Sequence, residues 1–163
     1  MTIRAATPVD IPFMMNLERT CPTSAHWSEQ QYSDSLELEG DGPKRLVLVA
    51  EGTSNNASES PTGDGEDPLL GFLVARLGAD EWELENIVVS PAARRKGLGL
   101  QLLNTLLTNA REIYGAAVFL EVRESNTAAR SLYQRAGFCE TGRRKAYYTS
   151  PQEDAILYSW TAR

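Results

Sequence analysis

The chain has 163 residues, of which 42% are apolar and 23% charged, and its net charge of −6 disfavours general nucleic-acid binding. This size predicts a single domain over residues 1–163, with enough apolar content for a layered core around a sheet. The amino terminus lacks the apolar stretch of a signal peptide and no segment approaches the roughly 20 apolar residues of a membrane span, so we expect a cytoplasmic protein with no membrane partner.

The first third predicts one strand and two helices. Thr2–Ala6 is typical of a short strand, and Thr7 then begins a run with an N-cap, a first-turn proline and a capping-box acid. The helix that follows is predicted to reach about Arg19. A second capping box at Ser28 predicts another helix, which we expect to reach roughly Leu38.

Two β-rich runs follow, separated by a polar segment. Arg45–Glu51 and Leu69–Leu77 predict an antiparallel hairpin. Residues 52–68 between them are rich in Ser, Asn, Gly, Pro and acidic residues. Because neither flank is long enough to fold alone, this segment favours a flexible hairpin loop rather than a domain boundary.

The middle of the chain predicts a strand, a helix and a strand in that order. Trp82–Val89 is a strand, and leucines at helical spacing run from Gly97 to about Ile113. Ala116–Val122 is a continuous apolar run, typical of a strand buried on both faces. This order predicts a right-handed crossover that joins two parallel strands.

The last third predicts a helix and a final hairpin. Asn126 is a good N-cap for a helix through Ala136, and Gly137 is well placed to end it. The last two strands are predicted at Phe138–Tyr148 and Asp154–Trp160, and we expect them to pair in antiparallel fashion and complete the sheet. The whole pattern predicts an α/β fold with a mixed, mostly antiparallel central sheet and about four helices.

Cysteine and histidine are scarce. Cys21 and Cys139 are too few for a disulfide framework, and neither has the clustered neighbours that a zinc site needs, so we expect no metal. Both are expected to be reduced and structural, with Cys139 buried in a strand. The single histidine, His26, disfavours a Ser-His-Asp or Cys-His mechanism.

The segment Arg94–Gly99 places three cations and two glycines directly ahead of a helix. A helix N-terminus already carries partial positive charge and unpaired N–H groups, so this arrangement indicates a phosphate site. The run is neither a Walker A loop nor the Gly-x-Gly-x-x-Gly dinucleotide pattern. A solvated basic turn is the alternative interpretation of this segment taken alone.

Two further segments, Glu121–Asn126 and Leu132–Phe138, follow in order. Together with Arg94–Gly99 they resemble the GNAT superfamily of acyl-CoA-dependent N-acetyltransferases, whose phosphate loop has the form Arg/Gln-x-x-Gly-x-Gly/Ala. Within that superfamily the chain is most similar to the ribosomal-protein-alanine acetyltransferases. The likeness covers nearly the whole chain outside residues 40–80, and its other matching features are Trp27-Ser28-Glu29, Asn86-Ile87, Arg143-Arg144 with Tyr147-Tyr148, and Glu153-Asp154-Ala155-Ile156.

The resemblance implies acetyl-CoA as the acetyl donor, bound between two splayed parallel strands, Trp82–Val89 and Ala116–Val122. It implies that the pantetheine and thioester lie against the backbone of Ile87, Val88 and Val89. The pyrophosphate contacts implied are Arg94, Arg95, Lys96, Gly97, Leu98, Gly99 and Leu100. Asn126 matches another cofactor contact, and its role as an N-cap is compatible with that one.

The resemblance also implies two catalytic side chains. Glu121 matches the family's proton acceptor, directly or through water, and Tyr133 its proton donor. An α-amino group with a pKa near ~8 needs only a modest base, and a phenol is protonated at neutral pH. From the residues alone, Glu121 could instead pair with Arg123 on the same strand face, and Tyr133 could be a core aromatic residue.

The acceptor is less specified than the donor. Residues 1–86 hold 16 acidic and 5 basic side chains, which suits a cationic acceptor, although an uneven solvated surface is the alternative. We expect a protein N-terminus, with alanine of small-subunit ribosomal protein S18 as one candidate. A small amine, a lysine side chain and a non-catalytic acyl-CoA-binding module remain alternatives, and the oligomeric state is not predicted. Weaker candidates for the acceptor site are Trp27, Glu85, Tyr147 and Tyr148.

Overall fold

A seven-stranded sheet forms the centre of the computed structural model, which describes residues 1–37, 40–42, 44–52, 68–112 and 116–162. The strand order is β1-β2-β3-β4-β5-β7-β6. The strands are β1 (Thr2–Ala5), β2 (Lys44–Glu51), β3 (Leu69–Leu77), β4 (Glu81–Val89), β5 (Ala117–Arg123), β6 (Cys139–Thr149) and β7 (Gln152–Thr161). The helices are α1 (Ile11–Arg19), α2 (Glu29–Ser35), α3 (Leu98–Glu112) and α4 (Thr127–Arg135).

The predicted parallel pair is β4 and β5, and it is splayed. The two strands are paired only from Glu81 to Glu83, opposite residues 117–119, and every other pairing in the sheet is antiparallel. The register of β4 against β3 shifts between Leu84 and Asn86, so Glu85 is an extra residue of a β-bulge. A bulge bends its strand, and β4 leaves β5 from this point on. The mixed α/β fold is therefore confirmed, with an opening between its two parallel strands.

The sheet is covered by helices on both faces. Leu98, Leu102 and Leu106 of α3 pack on one face, while Met14 of α1 and Tyr32 of α2 pack on the other. These positions recur at helical spacing in α3, which is why the sequence predicted its buried face. None of the helices in the described ranges is long and apolar enough to cross a membrane.

The prediction that the β5 segment is buried on both faces is wrong. Val118, Leu120 and Val122 are buried against α3, but Phe119 and Glu121 between them are only half-buried. The alternation has the period of two that a strand with one open face requires. Glu121 lies on this open face, in the part of β5 beyond the residues that pair with β4.

Local signals placed most element ends correctly. The Thr7 N–H donates to Asp10 Oδ2 at 2.8 Å, as the first capping box predicts, and α1 ends at Arg19. Helix α2 ends at Ser35, earlier than expected, because the Leu36 N–H already makes a tighter three-residue bond to Ser33. The predicted ends at Leu38 and Ile113, and residues 53–67 of the predicted flexible loop, lie outside the described residues.

The expected burial of Cys139 is also wrong. Cys139 is exposed, because β6 is an edge strand whose residues are mostly in contact with solvent. Its neighbour Phe138 fills the core position instead. Cys21 is half-buried, and both thiols are free, as expected.

A buried carboxylate, Glu18 of α1, joins three segments. It accepts the backbone N–H groups of His26 at 2.7 Å and Trp27 at 3.1 Å. It also accepts the Tyr32 hydroxyl at 2.6 Å and Asn86 Nδ2 at 2.8 Å. His26 has φ +51°, and its N–H is part of what holds this left-handed conformation. The loop between α1 and α2 is thereby attached to β4.

Removing one donor from this carboxylate is expected to destabilise the fold. Tyr32→Phe keeps the buried ring but leaves Glu18 with one hydrogen bond fewer, at a cost of about 1.5–3 kcal/mol in the free energy of unfolding. Chemical denaturation measures this loss. Tyr158→Phe is the matched control, because the Tyr158 ring is equally buried but its hydroxyl accepts only from Arg130, which is part-exposed. Equal losses in the two variants would contradict a special role for the Glu18 carboxylate.

Candidate active site

The opening between β4 and β5 exposes one edge of β4. The Ser90 N–H donates to Leu70 O in β3 at 2.8 Å. Since backbone groups alternate in direction along a strand, Val88 also directs its N–H and C=O toward β3, whereas Ile87 and Val89 direct theirs into the opening. Of the three residues predicted to line the pantetheine, two therefore present backbone groups there.

Arg94 braces the loop that follows β4. Its Nε donates to Val89 O at 3.2 Å, and its Nη2 lies 3.7 Å from Cys21 Sγ. Arg94 therefore connects this loop to the end of β4 and to the segment after α1. Its guanidinium is engaged by the protein rather than directed only outward.

The next residues form a turn into α3 with unpaired amides. Arg95 and Gly97 have φ values of +61° and +82°, and the first helical bond of α3 is from the Gln101 N–H to Gly97 O. The N–H groups of residues 98–100 precede that bond, so the helix leaves them without a partner. The Arg95 and Lys96 side chains are exposed, with no ion pair to any described residue. Backbone amides and two cations thus meet at one helix end, as an anion site requires.

Leu98 contributes to this turn only through its backbone. Its side chain is 2% exposed and packs in the core beneath α3. Gly99 is packed closely as well, since a Cβ there would lie 3.0 Å from Leu132. Asn126, which caps α4, accepts the Ala129 N–H at 3.2 Å through Oδ1, as its N-cap interpretation predicts.

Glu121 lies on the open face of β5 with its side chain 19% exposed. Its carboxylate is 3.2 Å from Arg144 Nε, and the interaction of the Tyr147 phenol with this carboxylate is the main factor that raises the pKa of that phenol. The alternative pair with Arg123 is absent from the described contacts. Arg123 Nη1 instead lies 3.2 Å from the Glu153 carboxylate. The partner of Glu121 and the partner of Arg123 thus both belong to the final hairpin of β6 and β7.

Tyr133 of α4 lies in the core on the same face of the sheet as α3. Its ring packs 6.0 Å from that of Phe138 and 6.1 Å from that of Tyr158, so the core-aromatic interpretation is correct as far as packing goes. Burial is the main factor that raises the pKa of its phenol, and the charges of Tyr148 and Cys21 raise it further. The phenol is therefore close enough to Tyr148 and Cys21 for their charges to affect its pKa, and it stays protonated at neutral pH.

The predicted acceptor residues form two groups. Tyr147 and Tyr148 are in edge contact, with ring centroids 5.1 Å apart. Trp27 and Glu85 are joined through Arg45, which lies 5.7 Å from the centre of the Trp27 ring and 2.8 Å from the Glu85 carboxylate. Glu85 is therefore already neutralised by an arginine of β2.

Three contributors were not assigned any role from the sequence. Arg45, Val47 and Val49 are alternate residues of β2, so they lie on the same face of the strand, the face that packs against α1. This two-residue period is the sequence signal that could have placed Arg45. Glu18 gave no signal, because its partners are distant in sequence. Arg144 belongs to a segment that carries the family resemblance, but its contact with Glu121 depends on the packing of β6 near β5. No group of three or more metal-ligating side chains occurs among the described residues.

Comparisons with known proteins agree with this geometry. A family model described as acetyltransferase (GNAT) family matches residues 11–138. A [ribosomal protein bS18]-alanine N-acetyltransferase of Salmonella typhimurium is 31% identical over 158 residues, which are 96% of this chain and 94% of that protein.

Solved structures give the same result. The crystal structure of the ribosomal-protein-S18-alanine N-acetyltransferase from Escherichia coli matches with a TM-score of 0.72 and 30% identity, over 98% of this chain and 92% of that one. Arabidopsis thaliana NAA60 in complex with acetyl-CoA has a TM-score of 0.79 at 18% identity, over 98% and 97%, and supports the fold alone. The chain belongs to the GNAT acetyltransferase family and is an acetyl-CoA-dependent N-acetyltransferase.

Proposed function

We propose that this enzyme transfers acetyl from acetyl-CoA to the α-amino group of a protein N-terminus, by direct attack in a ternary complex. The observation that carries the proposal is that Glu121 and Tyr133 share a neighbour, Tyr148. The charge of Glu121 helps to raise the pKa of the Tyr148 phenol, and Tyr148 helps to raise the pKa of the Tyr133 phenol. Glu121 and Tyr133 are proposed to act together at the opening between β4 and β5. One can accept a proton and the other can donate one.

The donor site is proposed to hold acetyl-CoA along the opening. Backbone groups of Ile87 and Val89 are available to the pantetheine and the thioester carbonyl. The amides of residues 98–100, with Arg95 and Lys96, are available to the pyrophosphate, where charge-assisted contacts are the strong ones. Asn126 stands at the start of α4 beside the opening, and its side-chain NH₂ group is a further donor.

The proposed reaction moves an acetyl group from the sulfur of CoA to the nitrogen of the acceptor amine. The acceptor ammonium gives one proton to Glu121, directly or through water, and becomes the neutral nucleophile. The amine nitrogen attacks the thioester carbonyl, the new C–N bond forms and the C–S bond breaks. Tyr133 donates its proton to the departing thiolate, whose conjugate acid has a pKa of roughly 8.5. The acylated nitrogen loses its second proton, which restores the Tyr133 phenol through water, and Glu121 releases its proton to solvent. The products are the N-acetylated terminus and CoA.

The acceptor is proposed to be an alanine N-terminus, with ribosomal protein bS18 as the first candidate. The full-length similarity to relatives described as acting on that alanine supports this choice. The proposed acceptor site consists of Tyr147, Tyr148 and Trp27 together with the Glu121 carboxylate. It therefore combines aromatic surface with a negative charge. Such a surface suits a cationic chain end.

A peptide assay tests the acceptor. An amino-terminal peptide of bS18 that begins with alanine is expected to be acetylated on its α-amine, as mass spectrometry of the product can establish. The same peptide with a blocked α-amine and an added lysine is the control. Faster transfer to that lysine, or to small amines such as polyamines, would contradict the proposal and favour the alternative acceptors.

Substitution of the two proposed catalytic residues should lower turnover. Glu121→Gln and Tyr133→Phe are each expected to reduce kcat by about 10²-fold or more, with the KM for acetyl-CoA little changed. Steady-state kinetics with both substrates varied measures this. Because the pKa of Tyr133 is raised, no loss of kcat from its ionisation is expected below about pH 10.

Glu124→Gln is the control for these variants, since Glu124 follows β5 and pairs with Arg143 on the exposed surface. Tyr133→Phe retains the ring contacts with Phe138 and Tyr158, so the fold should be kept. Activity within twofold of the unsubstituted enzyme in either catalytic variant would remove the role assigned to that residue.

Gly97 tests the pyrophosphate site. A Cβ at Gly97 meets no protein atom within 4 Å, but its φ of +82° is costly for alanine. Gly97→Ala is therefore expected to raise the KM for acetyl-CoA about fivefold or more, with a smaller effect on kcat. Gly78→Ala, at a turn without positive φ, is the control. An unchanged KM for acetyl-CoA would argue against cofactor binding at this turn.

A further inference from the structure

The proposed base, Glu121, already forms an ion pair with a cationic side chain. Arg144 Nε lies 3.2 Å from its carboxylate, and the same guanidinium is 5.4 Å from the centre of the Tyr147 ring. A carboxylate and an aromatic face around one cation are what a protonated amine needs for binding. The protein's own arginine thus fills a cation position at the reacting centre.

A bulge in β6 creates this arrangement. Arg144 is opposite Ala155 and Tyr148 is opposite Glu153, so residues 145–147 of β6 face Asp154 alone. The Ala146 N–H donates to Asp154 Oδ1 at 2.9 Å, which holds Ala146 at a φ of +51°. Tyr147 is thereby projected from the strand, 47% exposed, to contact Glu121.

Arg144 is the most weakly held of three arginines around the site. Arg143 pairs with Glu124 at 2.7 Å and with Asp154 at 2.8 Å. Arg123 pairs with Glu153, donates to Pro151 O and lies 4.3 Å from the Tyr148 ring centre. Arg144 has one ion pair and a side chain that is 56% exposed. The Arg144 end of this pair is exposed, so solvent screens the interaction and an incoming cation can replace the guanidinium on the carboxylate.

We propose that Arg144 is a specificity-determining residue that competes with the acceptor for Glu121. Resting on the proposed function, this inference adds that the incoming ammonium group takes the place of the Arg144 guanidinium on the carboxylate. An acceptor is therefore cationic on arrival, it loses its first proton to Glu121 only after the exchange, and it loses its second proton once the C–N bond has formed. The competition weakens the binding of every cationic amine, and the additional contacts of a chain terminus can offset this loss, whereas a small amine offers only its charge.

Arg144→Gln tests the competition. It is expected to lower the KM for an alanine-starting peptide about two- to fivefold, with a much smaller change in kcat and in the KM for acetyl-CoA. Arg144→Lys keeps a cation and should keep the KM near that of the unsubstituted enzyme. Lys145→Gln removes the same charge from the adjacent bulge position and should leave the KM unchanged.

A binding measurement separates affinity from turnover. A peptide labelled at its carboxyl end, titrated in the presence of CoA, should bind Arg144→Gln more tightly by the same factor. A KM that rises, or one that does not change, would overturn the competition. If the unsubstituted enzyme prefers lysine or a small amine, the proposed function fails, and the same KM comparison with that amine still decides the role of Arg144.

Discussion

The structure depends on one buried carboxylate that has no cation beside it among the described residues. Glu18 is compensated only by hydrogen-bond donors, and these come from the α1–α2 loop, from α2 and from β4. Leaving such a group unsatisfied is costly, so the loop, the helix and the strand cannot separate independently. The position of Trp27 follows from this constraint on its backbone together with the packing of its ring, whose centre is 5.5 Å from that of Tyr32.

The second constraint is topological. The crossover through α3 makes β4 and β5 parallel neighbours, but the bulge at Glu85 limits their pairing to three residues on each strand. In a continuous sheet, the backbone N–H and C=O groups of inner strands are paired with the neighbouring strands. Because the pairing of β4 with β5 is interrupted, some backbone groups of these two strands remain available to a ligand. The proposed donor site therefore depends first on strand geometry and second on the side chains around it.

Much of this could be predicted from local sequence. The capping box at Ser28, the cap at Asn126 and the left-handed Gly137 involve neighbours within a few residues, and the structure confirms each of them. The Arg94–Gly99 turn and the strand that bears Glu121 could likewise be located because their signals are contiguous.

The remainder depends on contacts that no local pattern encodes. Asn86 donates to a carboxylate 68 residues earlier, and Arg144 meets Glu121 only because β7 lies between β5 and β6. The one-sided burial of β5 was missed since its apolar composition hides the alternation. Cys139 was misjudged because its exposure depends on which strand lies at the sheet edge.

The two faces of the sheet have separate cores. Met14, Tyr32 and Phe72 belong to one core, and the side chains under α3 and α4 belong to the other. Because the backbone of the sheet separates the two layers, a substitution in one layer can be accommodated by repacking within that layer while the other keeps its packing.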